Sequence, residues 1–339
     1  MTRIKTLLIA NRGEIASRVI RTARTLDIAT VAVFAAPDAD APYVAEADAA
    51  IPLPGSTAEE TYLRAGLLID AALRAGADAI HPGYGFLSEN ADFAQACADA
   101  GLVFVGPPAD AIRAMGSKTS AKRLMAQAGV PVLPGVTIGD GEENPENLAE
   151  ISRTSVGFPL LVKAAFGGGG RGMRVVHEPG ELPAAVAGAR REAAAAFGNG
   201  TVFLERLVQR PRHVEVQIFA DTHGQVTHLF ERDCSIQRRY QKIIEEAPSP
   251  AVDGELRTEL GNAAVLAAKT IGYVGAGTVE FILDERGDFY FLEVNTRLQV
   301  EHPVTEMVTG LDLVALQIAV AEGRPLPPEV LHAELSGHA

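Results

Sequence analysis

The sequence predicts a mixed α/β protein, with an N-terminal doubly wound parallel sheet followed by an α+β part organised around two hairpins. Three observations predict it. Between residues 7 and 105, short apolar runs alternate with stretches of helical periodicity, the pattern of parallel strands joined by crossover helices. Four consecutive glycines, Gly167 to Gly170, separate two apolar runs. On either side of Arg286-Gly287, two strand-like runs carry acids among bulky apolar residues.

A chain of 339 residues is long enough for two or three units with ample core. Its 47% hydrophobic content excludes disorder, and its apolar runs fall far short of the ~20 residues of a membrane span. The apolar stretch 7–10 runs at once into Asn11-Arg12-Gly13-Glu14, too short for a signal peptide, so the expectation is a cytoplasmic protein. A net charge of −13 excludes a broad nucleic-acid surface, and any anionic substrate must be met by a local basic site. Cys97 and Cys234 have neither disulfide nor metal spacing and read as small buried hydrophobes.

In the first part, residues 7–10 read as a buried strand. Residues 13–21 read as a helix with Ile15, Val19 and Ile20 on one side, and residues 30–34 as the next strand. The turn Asn11-Arg12-Gly13-Glu14 has one glycine where the dinucleotide fingerprint requires three, which argues against NAD. Helix 62–76, strand 79–80, helix 90–100 and strand 103–105 complete the sheet. The loop 81–90 follows a strand end, where open α/β sheets bind ligands.

A helix over 111–128 carries Lys118 and Lys122, and Pro131, Pro134 and Gly135 mark a linker. An acidic loop spans 140–147. Strand 158–163 enters the glycine loop and residues 173–176 leave it as a second strand. Without a following helix this is no P-loop. It is a flap, Phe166 to Met173, whose backbone N–H groups can close over a polyphosphate because no Cβ obstructs them. Residues 193–197 complete a helix, and strands 202–205 and 213–219 follow, the second alternating strictly. The densest charge cluster, 231–246, offers Arg238 and Lys242 as the local basic site.

In the second hairpin, a turn at Arg286-Gly287 that pairs Glu285 with Asp288 sets Glu280 opposite Glu293. Facing carboxylates destabilise a ladder unless a cation lies between them, and hard oxygen donors suit Mg²⁺ or Mn²⁺. Asn295 shares the face of Glu293 as a third ligand, and Arg297, Gln299 and Glu301 continue that face until Pro303 ends the strand. A helix over 311–321 follows.

With these motifs assembled, the chain resembles the biotin carboxylase members of the ATP-grasp family along essentially its whole length. The resemblance rests on five stretches: residues 10–16, 81–90, the glycine flap, 232–239 and 293–306. It implies a pre-ATP-grasp, Rossmann-like domain over 1–115 and an ATP-grasp domain over 116–339. The latter would have a lid at about 135–204 and the carboxylate hairpin at 275–302, and the family's remaining C-terminal part is expected to be absent. By that match, Lys118, Lys163, Gly168, Gly169, Gly170 and Gly172 hold ATP phosphates, and Glu205 and Val208 meet the adenine. His213 and Gln237 line the ribose and phosphate side, and Glu280, Glu293 and Asn295 hold Mg²⁺. Lys242 and Arg297 bind bicarbonate, with Glu301 as its base. The implied activity is ATP- and bicarbonate-dependent carboxylation of biotin carried on another protein or domain. A biotin carboxyl carrier and a carboxyltransferase are the implied partners, with homodimerisation at full length. Tyr240 stands where the family commonly has His or Asn. The alternatives are a catalytically incompetent nucleotide-binding fragment, or an ATP-grasp ligase of another substrate class.

Overall fold

The computed structural model describes residues 3–138, 148, 150, 152–165, 173–238 and 241–339. Strands β1 (Thr6–Ile9), β2 (Ala29–Phe34), β3 (Ala49–Pro52), β4 (Ala79–His81) and β5 (Val103–Phe104) form one parallel sheet in the order β3-β2-β1-β4-β5. The edge strand β3 was not anticipated, because Ala49-Ala50-Ile51-Pro52 is too short and too small to show a period. One face of the sheet packs Leu8, Val31 and Ile80 against Leu68, Phe93 and Cys97. The other buries Leu7, Ile9 and Val19 against Leu313, Val314 and Ile318, so the helix Leu313–Ala321 joins the first sheet to the second part. The sheet order reverses between β1 and β4, and Asn11 ties the two following loops together, donating Nδ2–H to the carbonyls of Pro82 (2.8 Å) and Tyr84 (2.7 Å).

The single helix expected over 111–128 is two, Ala109–Met115 and Lys118–Ala128. Ser117 breaks the pattern, since its side chain accepts from the Ser120 N–H and caps the second helix. Strands β6 (Gly135–Ile138), β7 (Leu160–Ala164), β8 (Arg174–Val176) and β9 (Val202–Arg206) make a small antiparallel sheet in the order β6-β9-β7-β8. The helix Leu182–Phe197 packs Leu182, Val186 and Ala189 against Leu160, Val162 and Leu204. The flap glycines Gly168, Gly169, Gly170 and Gly172, the acidic loop and Tyr240 lie outside the described residues.

The third sheet is antiparallel, in the order β12-β11-β10-β13-β14, from β10 (Arg212–Ala220), β11 (Val226–Arg238), β12 (Gln241–Glu246), β13 (Gly275–Leu283) and β14 (Phe289–Asn295). The helix Gly254–Thr270 has no counterpart in the sequence reading. It is capped by Asp253 and covers one face of the sheet, burying Leu260, Ala264 and Ala267 against Val214, Val216 and Ile218. Among the described residues no single helix is long and apolar enough to cross a membrane.

The carboxylate hairpin reaches the expected pairing by a different route. Leu283 pairs with Phe289 and the Asp284 N–H donates to the Asp288 carbonyl at 2.9 Å, so the loop is Glu285, Arg286 and Gly287. Gly287 sits at φ 90°, the left-handed conformation a three-residue hairpin loop requires. A bulge at Leu292 then shifts the register by one, and Glu280 faces Glu293. The strand does not continue to Pro303. It ends at Asn295, and Pro303 lies in the first turn of the helix His302–Thr309, where a missing N–H costs nothing.

Candidate active site

Register lays out the site. Arg232 on β11 stands opposite Glu215 on β10, Glu215 opposite Glu280 on β13, and Glu280 opposite Glu293 on β14. Two residues along, Gln217, Thr278 and Asn295 form a second row on the same face. The alternation of β10 therefore separates two kinds of interior: Val214, Val216 and Ile218 in the apolar core, and His213, Glu215 and Gln217 on the polar side.

Arg232 is fully buried and donates in five directions. Nε meets Glu215 at 2.6 Å. Nη1 meets Gln217 at 2.8 Å and Thr305 at 2.9 Å, while Nη2 meets Thr278 at 3.1 Å and Gln299 at 3.2 Å. Every guanidinium proton is used, which is what makes a buried charge tolerable.

Lys242, on the neighbouring β12, projects into the same space. Its ammonium contacts Glu215, Glu280 at 3.0 Å and Glu301 at 2.5 Å. Burial disfavours the ammonium, but the three carboxylates outweigh it and hold Lys242 above its usual range. Glu301 is correspondingly held below the usual carboxylate range: burial opposes this, and Lys242 and Arg232 prevail. It ends ionised at the N-terminus of helix His302–Thr309.

Glu280 accepts from Asn295 Nδ2 (2.8 Å), Gln299 Nε2 (3.1 Å) and His213 Nε2 (2.7 Å). Gln237 donates Nε2–H to His213 Nδ1 at 2.8 Å, so the His213 ring proton resides on Nε2. Burial raises the Glu280 carboxyl, but His213 and Lys242 together carry it well below its usual range. Arg297 donates to Glu89 (2.9 Å) and to Asn295 Oδ1 (3.1 Å), and Val300 beside it is exposed.

A second cluster lies toward the small sheet. Lys118 pairs with Glu293 at 3.0 Å, and the buried Glu205 carboxylate lies between Lys163 and Lys122. Burial, helped by the nearby Lys118 charge, lowers Lys163 to about 8, so it stays protonated at neutral pH. A cavity of about 480 Å³ opens here against Lys122, Thr137, Phe203 and Glu205, and Val208 is buried at the end of β9.

Of the residues singled out in the sequence, His213, Gln237, Lys242, Glu280, Asn295, Arg297 and Glu301 thus meet in one network, and Glu293 joins Lys118 next to it. Arg238 is exposed and takes no part among the described contacts. Arg232, Glu215, Lys122 and Glu89 received no role from sequence alone. The strict alternation of 213–219 was the available signal for Glu215, since it puts that acid beside His213 on one strand face.

The donor set fits a hard divalent cation. Glu280 and Glu293 present facing carboxylates on adjacent strands, and each is matched here by an ammonium group, Lys242 on one and Lys118 on the other. Atoms of His213, Glu215 and Glu280 also converge within 4.8 Å.

Two family models match the chain: "Biotin carboxylase, N-terminal domain" over residues 3–112 and "Carbamoyl-phosphate synthase L chain, ATP binding domain" over 117–329. The alpha subunit of mitochondrial methylcrotonoyl-CoA carboxylase from Glycine max is 55% identical over 338 residues, 99% of this chain and 46% of the relative. The biotin carboxylase of a Nostoc species is 53% identical over 98% of this chain and 74% of its own length. The chain therefore spans about half the length of the methylcrotonoyl-CoA carboxylase subunits it matches. Among solved structures, a biotin carboxylase in complex with βγ-ATP from Campylobacter jejuni superposes with a TM-score of 0.93 at 48% identity, covering 99% of this chain and 74% of that one. The biotin carboxylase domain of a Hydrogenobacter thermophilus 2-oxoglutarate carboxylase, with MgADP, ADP and bicarbonate, gives 0.92 at 47% identity, covering all of this chain and 74% of that one.

Proposed function

The chain belongs to the biotin carboxylase family, and from that premise we propose that it carries out ATP- and bicarbonate-dependent carboxylation of biotin held on a carrier protein or domain. The observation that carries the reading is the convergence of Lys242 on Glu280 and Glu301, which brings a metal-ligand carboxylate and a proton acceptor to one ammonium. Lys118 and Lys163 take the ATP phosphates, together with the flap glycines. Glu205 and Val208 border the adenine, and His213 and Gln237 the ribose side. Glu280, Glu293 and Asn295 hold Mg²⁺, which when bound neutralises phosphate charge. Lys242 and Arg297 orient bicarbonate. The ionised Glu301 takes its proton, the freed oxygen attacks the γ-phosphorus, and ADP departs, leaving carboxyphosphate. The C–O bond to phosphate then breaks, the carboxyl carbon bonds to the biotin ureido nitrogen, and the proton of that nitrogen goes to the departing phosphate.

The division at residues 115 and 116, with a lid at about 135–204, belongs to the same reading. The site then sits in an ATP-grasp unit beside a Rossmann-like one. The partners are a carboxyl carrier and a carboxyltransferase component, and, at the family's full length, a second copy of the chain. Two buried free thiols suit a reducing compartment, and the cytoplasm is the proposed location. The test is the rate of ATP hydrolysis with and without bicarbonate: a bicarbonate-dependent rate is expected, and equal rates overturn the proposal.

A further inference from the structure

A cavity of about 450 Å³ lies apart from both charged clusters, between the segment following β5 and the helix Leu313–Ala321. Its volume is in the range of small-molecule sites. The walls are mostly apolar, with Ala98, Phe104, Pro108, Val274 and Ala321 among them. Asp110, its one charged lining residue, has a side chain 95% exposed and pairs with Arg113 at 2.6 Å, so the charge stays at the rim.

One polar side chain in the wall is buried. Gln317 is 4% exposed, and its Oε1 meets His81 Nε2 at 3.2 Å. The Gly83 N–H donates to His81 Nδ1 at 3.0 Å. Because Nδ1 accepts, the ring proton is on Nε2, and Gln317 must present its oxygen rather than its nitrogen to the ring. The Gln317 amide nitrogen is then a donor with no partner among the described residues, in the lining of an apolar cavity. An acceptor that enters the cavity can take this donor as its hydrogen-bond partner.

We propose that this cavity binds a neutral, largely apolar small molecule carrying one hydrogen-bond acceptor for the Gln317 amide, and that its occupancy is transmitted through Gln317, His81 and Gly83 to the loop after β4. A charged ligand is disfavoured by the apolar walls. The loop matters because Glu89 lies at its far end, where it accepts the Thr296 N–H at 3.0 Å and Arg297 Nε at 2.9 Å. An acceptor on Nε2 fixes the carboxamide in the orientation that His81 and Gly83 require, and so stiffens the support of the segment bearing Arg297.

Acetophenone and its isostere α-methylstyrene, which lacks the acceptor oxygen, are the probes. Both are titrated into the full chain and followed by saturation-transfer and amide NMR. Acetophenone should bind saturably and roughly 2- to 10-fold more tightly than α-methylstyrene, the contribution of one net hydrogen bond. The Gly83 amide resonance should move along the same isotherm. Ala98→Phe, at an exposed position, and Ala321→Phe, at a half-buried one, should each fill the cavity and abolish binding. Absence of saturable binding, equal affinity for the two probes, or binding that survives both substitutions overturns the site. A stationary Gly83 resonance at saturation overturns the transmission. None of these readouts depends on carboxylation, so a failure of the proposed activity leaves them informative.

Discussion

Lys242 Nζ lies 2.5 Å from Glu301 Oε1, and the same ammonium also meets Glu215 and Glu280, so one cation holds together three acids from β10, β13 and the start of helix His302–Thr309. Removing it leaves three carboxylates facing one another in a buried space. Lys242→Met should abolish bicarbonate-dependent ATP hydrolysis and lower stability by about 3–5 kcal/mol, the cost of breaking a buried pair by removing one partner. Urea unfolding followed by circular dichroism measures the second effect. An unchanged midpoint would show that Glu215 and Glu301 find other cations.

Glu301→Gln keeps size and hydrogen bonding but cannot accept the proton. The bicarbonate-dependent rate should fall by roughly 10²–10⁴, the usual contribution of a general base, while calorimetry shows ATP affinity unchanged. A comparable loss of ATP affinity would place Glu301 at the nucleotide instead.

Arg232→Leu leaves buried Glu215 with Lys242 as its remaining cation and should cost about 3–5 kcal/mol, whereas Arg232→Leu with Glu215→Leu should recover part of that loss. Comparison of denaturation midpoints decides it. A double variant as unstable as the sum of the singles would mean that the pair does not act as a unit.

Gln299 donates to Glu280 and accepts from Arg232, which makes it the outer support of a proposed metal ligand. Gln299→Ala should weaken Mn²⁺ binding in the presence of ATP roughly 10- to 100-fold, as loss of an outer-shell partner does, with the spectrum of bound Mn²⁺ as the measurement. Chelation of the metal should abolish hydrolysis in every variant.

Acid should loosen the fold through His81. Burial holds this ring neutral and carries it down to about 4 from the ordinary 6.5. The unfolded chain binds a proton below pH 6.5 that the folded chain refuses until about 4, so stability falls as pH drops through that window and levels off below it. The slope from one such group is at most about 1.4 kcal/mol per pH unit. His302, also held near 4 chiefly by burial, adds a similar share. His81→Gln should shrink the slope of stability against pH between about 6.5 and 4, and an unaltered slope would assign the effect elsewhere.

The sequence by itself determined what is local. Period and turn chemistry located four of the five strands of the parallel sheet, β1, β2, β4 and β5, and the glycine-separated pair β7 and β8. They also put Glu280 opposite Glu293, although two departures, a longer loop and a bulge at Leu292, cancelled along the way. The short edge strand β3, the break at Ser117 and the helix Gly254–Thr270 escaped, because Ala-rich segments bury a face without a strong period.

Only the tertiary structure decided the centre of the site. Glu215 and Glu280 are 65 residues apart in the chain and become neighbours because β10 pairs with β13 rather than with strands next to it in sequence alone. Arg232 looks in sequence like one more member of a solvated charge cluster, yet the sheet and the segment around Gln299 and Thr305 enclose it and supply a partner for each donor. Ion pairing of this kind depends on the burial that lowers the local dielectric and on acceptors drawn from four separate segments. Both follow from packing, which no stretch of sequence specifies on its own.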